Sequence, residues 1–296
     1  MNSLKILKGA VTTILFLLFS PSLFSQKIAP KVRSTAPDHI IASKIMEKEY
    51  QLYISFPKSY STKDSIAYPV LYVLDGHLTY PIVRSIQKLM DVVEGLQEVI
   101  IVGIGSEQDP VSWMVNRSFD YTASVDSFEE TKIEKEWGLS KGSVKTGGAA
   151  KFLESIKTEI IPVIEEKYKT TTDRGIAGHS LGGLFTAFCF LNSDGYFTRF
   201  GMASPALYWN NNELLDQAVL QFSKNKTWNI PATKVFVSVG GKEAPAFVKT
   251  MTQFVKALNK RAYKNITLQS QRFENETHLS VLPASMTRIL TVLYGK

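Results

Sequence analysis

Gly178-His179-Ser180-Leu181-Gly182 is the stretch whose reading decides the fold. It matches Gly-x-Ser-x-Gly, the tight turn that presents a nucleophilic serine between a strand and a helix. Before it, Thr172-Asp173-Arg174-Gly175-Ile176-Ala177 has the makings of a short strand. After it, Leu184-Phe185-Thr186-Ala187-Phe188-Cys189-Phe190-Leu191 reads as a buried helix. Gly178 and Gly182 lack Cβ atoms, so strand and helix can approach closely around a strained Ser180.

Outward from this turn, apolar runs alternate with helical patterns. Ile40 to Met46 and Tyr50 to Phe56 read as strands, the second by alternation through Leu52, Ile54 and Phe56. Tyr68 to Leu74 and Val99 to Ile104 are continuous apolar runs, as parallel strands covered on both faces require. A helix is expected over Pro81 to Met90, with the proline in its first turn. Phe152 to Tyr168 is amphipathic and should kink or join at Pro162. Phe200 to Ser204, Lys234 to Val239 and Ile266 to Phe273 read as strands. Phe247 to Tyr263 and Leu279 to Tyr294 read as helices. This rhythm predicts a doubly wound, mostly parallel sheet with helices on both faces. Residues 105 to 148 show few regular signals and read as a lid-like insertion over the site, not a separate domain.

The ends and composition bound the function. Lys5 and Lys8, the apolar run Val11 to Phe19 and the break at Ser20-Pro21-Ser22 predict a secretory signal peptide over residues 1–25. The chain is then exported to the periplasm or beyond, with no stable membrane anchor, and residues 26–296 form a single domain. A retained anchor is the alternative. The formal charge of +7 falls by two, to +5, without Lys5 and Lys8. The basic residues are scattered, so a nucleic-acid surface is not expected. Cys189 is the single cysteine and sits in an apolar run, so it reads as buried and inert. Four dispersed histidines offer no metal-ligand spacing, and no dinucleotide-binding glycine pattern follows a strand. No metal or cofactor is expected, and the expected partner is a small-molecule ester.

A serine hydroxyl needs a base, a group that orients the base, and donors for the developing oxyanion. The order Ser, acid, His belongs to α/β-hydrolases. His278 follows the last strand and is the expected base; the alternative is a surface histidine capping the last helix. His39 and His77 fit that place less well, and the side chain of His179 is expected to point away. Glu243, in Gly240-Gly241-Lys242-Glu243, is the expected acid, with Glu274, Glu276 and the remoter Asp216 as alternatives. The backbone N–H groups of Leu181 and His77 are the expected oxyanion donors.

Leu71-Tyr72-Val73-Leu74-Asp75-Gly76, Ile176 to Gly183, Ser204-Pro205-Ala206-Leu207-Tyr208-Trp209 and Glu276-Thr277-His278 together resemble the putative esterase family. That family includes enterochelin and salmochelin-type siderophore esterases; feruloyl esterases, S-formylglutathione hydrolase and mycolyltransferases are wider relatives. The resemblance spans nearly all of the chain after residue 25. It implies an α/β-hydrolase fold and attack by Ser180 with His278 as base. It also implies that Arg117, in Arg117-Ser118-Phe119-Asp120-Tyr121-Thr122, corresponds to an arginine of the family's lid, where it meets an anionic or catecholate substrate or instead pairs with Asp120. The family commonly has Ser-x-Ser-x-Trp-Trp where this chain has Ser204 to Trp209, and its acid varies. Tyr208 and Trp209 are candidates to stack on an aromatic acyl group, or to be core of the next helix. These readings converge on an exported serine esterase acting on a siderophore-type or aromatic-acid ester. An acyltransferase with the same triad and a non-catalytic binding protein of the same fold are the rivals.

Overall fold

The computed structural model describes residues 36–63, 65–106 and 109–296. The expected signal segment, residues 1–25, lies outside the described residues. Eight strands form one sheet: β1 (His39–Ser43), β2 (Lys48–Ser55), β3 (Tyr68–Leu74), β4 (Ile100–Gly105), β5 (Thr170–His179), β6 (Arg199–Ala203), β7 (Thr233–Gly240) and β8 (Ile266–Phe273). Their spatial order is β1-β2-β4-β3-β5-β6-β7-β8. The β1–β2 and β2–β4 pairs are antiparallel; every later pair is parallel. The winding direction reverses between β3 and β5, and a crevice at such a point is where open α/β sheets bind ligands.

The side-chain alternation of β3 shows how the sheet is covered. Val70, Tyr72 and Leu74 join one apolar cluster, with Phe152, Phe185, Phe190, Phe222 and Phe254. Those five come from α4 (Ala149–Ser155), α6 (Leu181–Asn192), α7 (Trp209–Lys224) and α8 (Pro245–Arg261). Leu71 and Val73 join the other, with Tyr80, Val83, Met286 and Ile289 from α1 (Gly76–Val92) and α9 (Val281–Tyr294). All seven residues of β3 are buried, as its unbroken apolar run requires. Cys189 is fully buried on α6, and burial pushes its thiol well above its ordinary range.

Three local features differ from the sequence expectation. Helix α1 starts at Gly76, directly after β3, and Pro81 lies inside it. Asp75 takes a left-handed conformation (φ 52°, ψ 47°) that turns the strand straight into the helix, so Asp75-Gly76-His77 is a helix entry, not a loop. Residues 105 to 148 hold two helices, α2 (Pro110–Asp120) and α3 (Ser127–Glu136). Each has an aspartate N-cap: Asp109 accepts from the Ser112 N–H, and Asp126 from the Phe128 and Glu129 N–H groups. Asp109-Pro110 and Asp126 were the available signals. In α7, Asn210, Asn211 and Asn212 have positive φ, so regular helix begins at Glu213. Asparagine tolerates that region better than most residues. The junction expected at Pro162 is present: a π-turn over Ile156–Ile160 separates α4 from α5 (Ile161–Lys167). The Ile161 N–H reaches back five residues to the Ile156 carbonyl.

Candidate active site

Ser180 occupies the one-residue turn between β5 and α6 with φ 61° and ψ −118°. Such a backbone costs on the order of 1–3 kcal/mol and persists only where its surroundings dictate it. Here the Ser180 N–H donates to the Ala203 carbonyl (3.0 Å), and its carbonyl accepts from Leu184 (2.9 Å) and Ala206 (3.1 Å). A Cβ on Gly178 would lie 2.4 Å from the Gly182 carbonyl oxygen, so the close approach expected at this turn is real. At Gly182 itself a Cβ would meet the Asp75 carboxylate at 3.3 Å, a milder contact.

His278 arrives from the loop after β8, and Glu243 from the turn after β7. A Cβ on Gly240 or Gly241 would meet the carbonyls of Glu276 or Glu274 at 2.5 and 2.6 Å. The glycine pair therefore lets the two loops pack backbone to backbone. His278 Nδ1 is 2.6 Å from Glu243 Oε2. A carboxylate only accepts, so Nδ1 carries a proton, and in the neutral ring Nε2 is then the acceptor. The Ser180 hydroxyl lies 3.0 Å from that Nε2.

Glu243 has a fully buried side chain. Its second oxygen, Oε1, accepts from the Ser204 hydroxyl and the Gly240 N–H, both at 2.6 Å. Burial alone would raise its carboxyl, but the hydrogen bonds from His278, Ser204 and Gly240 outweigh it and hold the group below the ordinary glutamate range. Of the alternative acids, Glu274 is exposed and paired with Arg272 at 3.1 Å, and Asp216 is exposed on α7. In the sequence Ser204 is marked only by the Ser204 to Trp209 motif. It has a positive φ (43°), and its hydroxyl donates to Glu243 Oε1.

Arg117 does not pair with Asp120. Its Nε and one terminal nitrogen bind Asp75 at 3.1 and 3.0 Å, and its guanidinium lies 4.7 Å from the centre of the Trp113 ring. The side chains of Arg117 and Asp75 are 8% and 5% exposed. This edge of the fork is therefore spent inside the protein, and the partner is Asp75, not Asp120. Asp120 instead accepts from Lys48 (2.6 Å) and the Tyr50 hydroxyl (2.9 Å); burial pushes it up to about 6 despite Lys48. Trp113 also donates to Asp75, at 2.8 Å. Helix α2 is thereby tied to the residue that opens α1. Arg117→Ala would leave Asp75 buried with its charge partner gone. The expected loss is about 3–5 kcal/mol of unfolding free energy, read by denaturant titration.

His179 also departs from expectation. Its ring centre is 4.5 Å from that of His278. The residue is 8% exposed, and burial, with His278 and Arg117 adding to it, lowers its imidazole to about 4. Asp75 and Glu243 oppose that shift. A depressed folded-state value means that the neutral ring favours the fold: the contribution is present above about 6.5 and lost as pH falls toward 4. The stability of the parent relative to His179→Phe should fall by about 3 kcal/mol between pH 7 and pH 4. Urea unfolding of both proteins at the two pH values measures this difference directly, and other titrating groups such as Asp120 cancel.

Leu181 and His77 are the first-turn residues of α6 and α1, whose N–H groups have no acceptor within their own helices. The His77 ring meets Trp113 edge-on at 5.7 Å, and burial lowers its imidazole. Tyr208 is 37% exposed and packs edge-on to Phe247 at 4.8 Å. Trp209 is buried in the apolar cluster with α7. Both also line a cleft of about 390 Å³ with Asp126, Phe128, Glu129 and Asn210 to Asn212.

The model of a family described as "Putative esterase" matches residues 43–280 of this chain. The chain is 27% identical over 260 residues to ferri-bacillibactin esterase BesA of Bacillus subtilis (strain 168), covering 85% of this chain and 86% of that protein. It is 29% identical over 171 residues to apo-salmochelin esterase of Escherichia coli O6:H1, covering 57% of this chain and 51% of that protein. The crystal structure of BES protein from Bacillus cereus superposes with a TM-score of 0.72 at 28% identity, covering 87% of this chain and 95% of that one.

Proposed function

Since the chain belongs to the Putative esterase family and is a serine ester hydrolase, we propose that Ser180 is its nucleophile, His278 its base and Glu243 the acid that orients the base. The observation that carries this reading is the unbroken line of contacts from Ser180 Oγ through His278 to Glu243. Ser180 Oγ attacks the ester carbonyl carbon as its proton passes to His278 Nε2. The carbonyl electron pair moves onto oxygen, which the Leu181 and His77 N–H groups stabilise. Collapse of the intermediate expels the alcohol, protonated by His278, and leaves an acyl group on Ser180. Water then repeats the sequence and frees the acid.

The substrate of this reading is a siderophore-type or aromatic-acid ester. Two relatives carry siderophore substrates in their names, ferri-bacillibactin and apo-salmochelin. The half-exposed Tyr208, with Phe128 on the same cleft, supplies aromatic surface for such a group. In this reading α2 and α3 act as a lid over the active site. Export by the segment over residues 1–25 completes the reading, and a siderophore ester entering the periplasm would meet the enzyme there.

The test is turnover by the purified chain of a catecholate trilactone, a feruloyl ester and a short p-nitrophenyl ester, with and without an added alcohol. Faster turnover of either large aromatic ester than of the short one supports the substrate class; the reverse order refutes it. A new ester of the added alcohol outpacing free acid would show acyl transfer instead of hydrolysis.

A further inference from the structure

Two rings flank the imidazole of His278. The His179 ring lies 4.5 Å away, centre to centre, with the planes inclined at 37°. The Phe247 ring lies at the same 4.5 Å, inclined at 41°. Neither ring sits on the loop that carries His278: one comes from the end of β5 and the other from the first turns of α8. Phe247 is in turn backed by Tyr208. The carbonyl of His179 accepts from Arg117 at 3.5 Å, which ties this ring's backbone to the Asp75 cluster.

His278 itself is partly exposed, on a loop whose neighbours Thr277, Leu279 and Ser280 are also exposed. Hydrogen bonds at its two ring nitrogens hold the imidazole only as firmly as this exposed loop is itself held. Ring contacts supply the missing restraint. We propose that His179 is a positioning residue for the reaction: with Phe247, its ring holds the imidazole of His278 in line between Ser180 and Glu243. It also lies beside the imidazolium that forms when His278 takes the serine proton. A cation is attracted to the face of an uncharged aromatic ring. The titratable and charged groups around His179 are His278, Arg117, Asp75 and Glu243. Burial keeps His179 uncharged at neutral pH, so it adds no positive charge beside the imidazolium.

This inference rests on His278 being the base. Ser180→Ala and His278→Ala are therefore assayed first, and activity surviving in either refutes that reading, not the role of His179 alone. With both inactive, His179→Phe, His179→Leu and His179→Ala are compared with the parent from pH 5 to 9. His179→Phe keeps a ring and should retain kcat within about threefold. His179→Leu and His179→Ala should lose about tenfold or more in kcat with KM within about threefold, because restraint on the base matters to chemistry and not to ground-state binding. The acid limb of kcat/KM should also move in His179→Ala and stay put in His179→Phe. Full kcat in His179→Leu overturns the proposal, as does an equal loss in all three variants. If His179→Ala does not fold, the Phe and Leu pair alone decides.

Discussion

Ser180→Ala should lower kcat by roughly 10⁵–10⁶-fold while leaving the fold intact. That factor corresponds to about 7–8 kcal/mol of transition-state stabilisation. The size follows from what the hydroxyl does: without it no acyl-enzyme forms, and His278 has nothing to deprotonate but water. The structural side follows from the turn. Its hydrogen bonds, to Ala203 and from Leu184 and Ala206, are all made by the Ser180 backbone. Alanine meets the same strained φ as serine, so the variant should unfold within about 1 kcal/mol of the parent. The check is steady-state kinetics beside urea unfolding, with a fluorophosphonate probe that labels the parent and not the variant. Parent-like turnover in a folded Ser180→Ala protein would end the serine-nucleophile reading.

Glu243→Gln should cost roughly 10³–10⁴-fold in kcat, with a smaller change in KM. Two donors, Ser204 Oγ and the Gly240 N–H, already converge on Oε1. In the variant the amide oxygen stays with them, which turns the NH₂ toward His278 Nδ1. The imidazole then accepts at Nδ1 and carries its proton on Nε2, facing Ser180 with the wrong tautomer. The stability signature has a definite sign. The folded-state carboxyl of Glu243 is depressed, so its contribution is present above the ordinary glutamate value and lost as pH falls through the folded one. The parent's advantage over Glu243→Gln should therefore be greatest near neutrality and shrink in acid, as paired denaturant curves at pH 7 and pH 3 would show. Activity within tenfold of the parent would mean that Ser180 and His278 work without this acid.

Several parts of this site are legible in the sequence alone. The Gly178 to Gly182 turn works by steric exclusion between residues four apart, so the local sequence carries it. The strands follow from apolar runs, and Ile266–Phe273 is found with its expected ends because its flanks are polar. His278 is legible because a parallel sheet sends every strand's carboxyl end to one edge, and this histidine comes within a short loop of the last strand. In the 105–148 segment, α3 has almost no apolar periodicity and only its Asp126 cap marks it, whereas α2 is amphipathic and is also marked by the Asp109 cap.

What the sequence by itself determined is the order of elements and the placing of Ser180 and His278 at one edge of the sheet, since both depend on short-range pattern and chain direction. Only the tertiary structure put Glu243 against His278, gave Arg117 to Asp75, and brought His179 against His278. Those three outcomes turn on which side chains share a direction after separate loops have packed. The parallel register from β5 to β8 sets the heights of those loops, and the glycine contact at Gly240 and Gly241 sets the distance between two of them. No spacing along the chain encodes the meeting of residues 35, 42 or 99 positions apart, because it is a property of the assembled sheet edge.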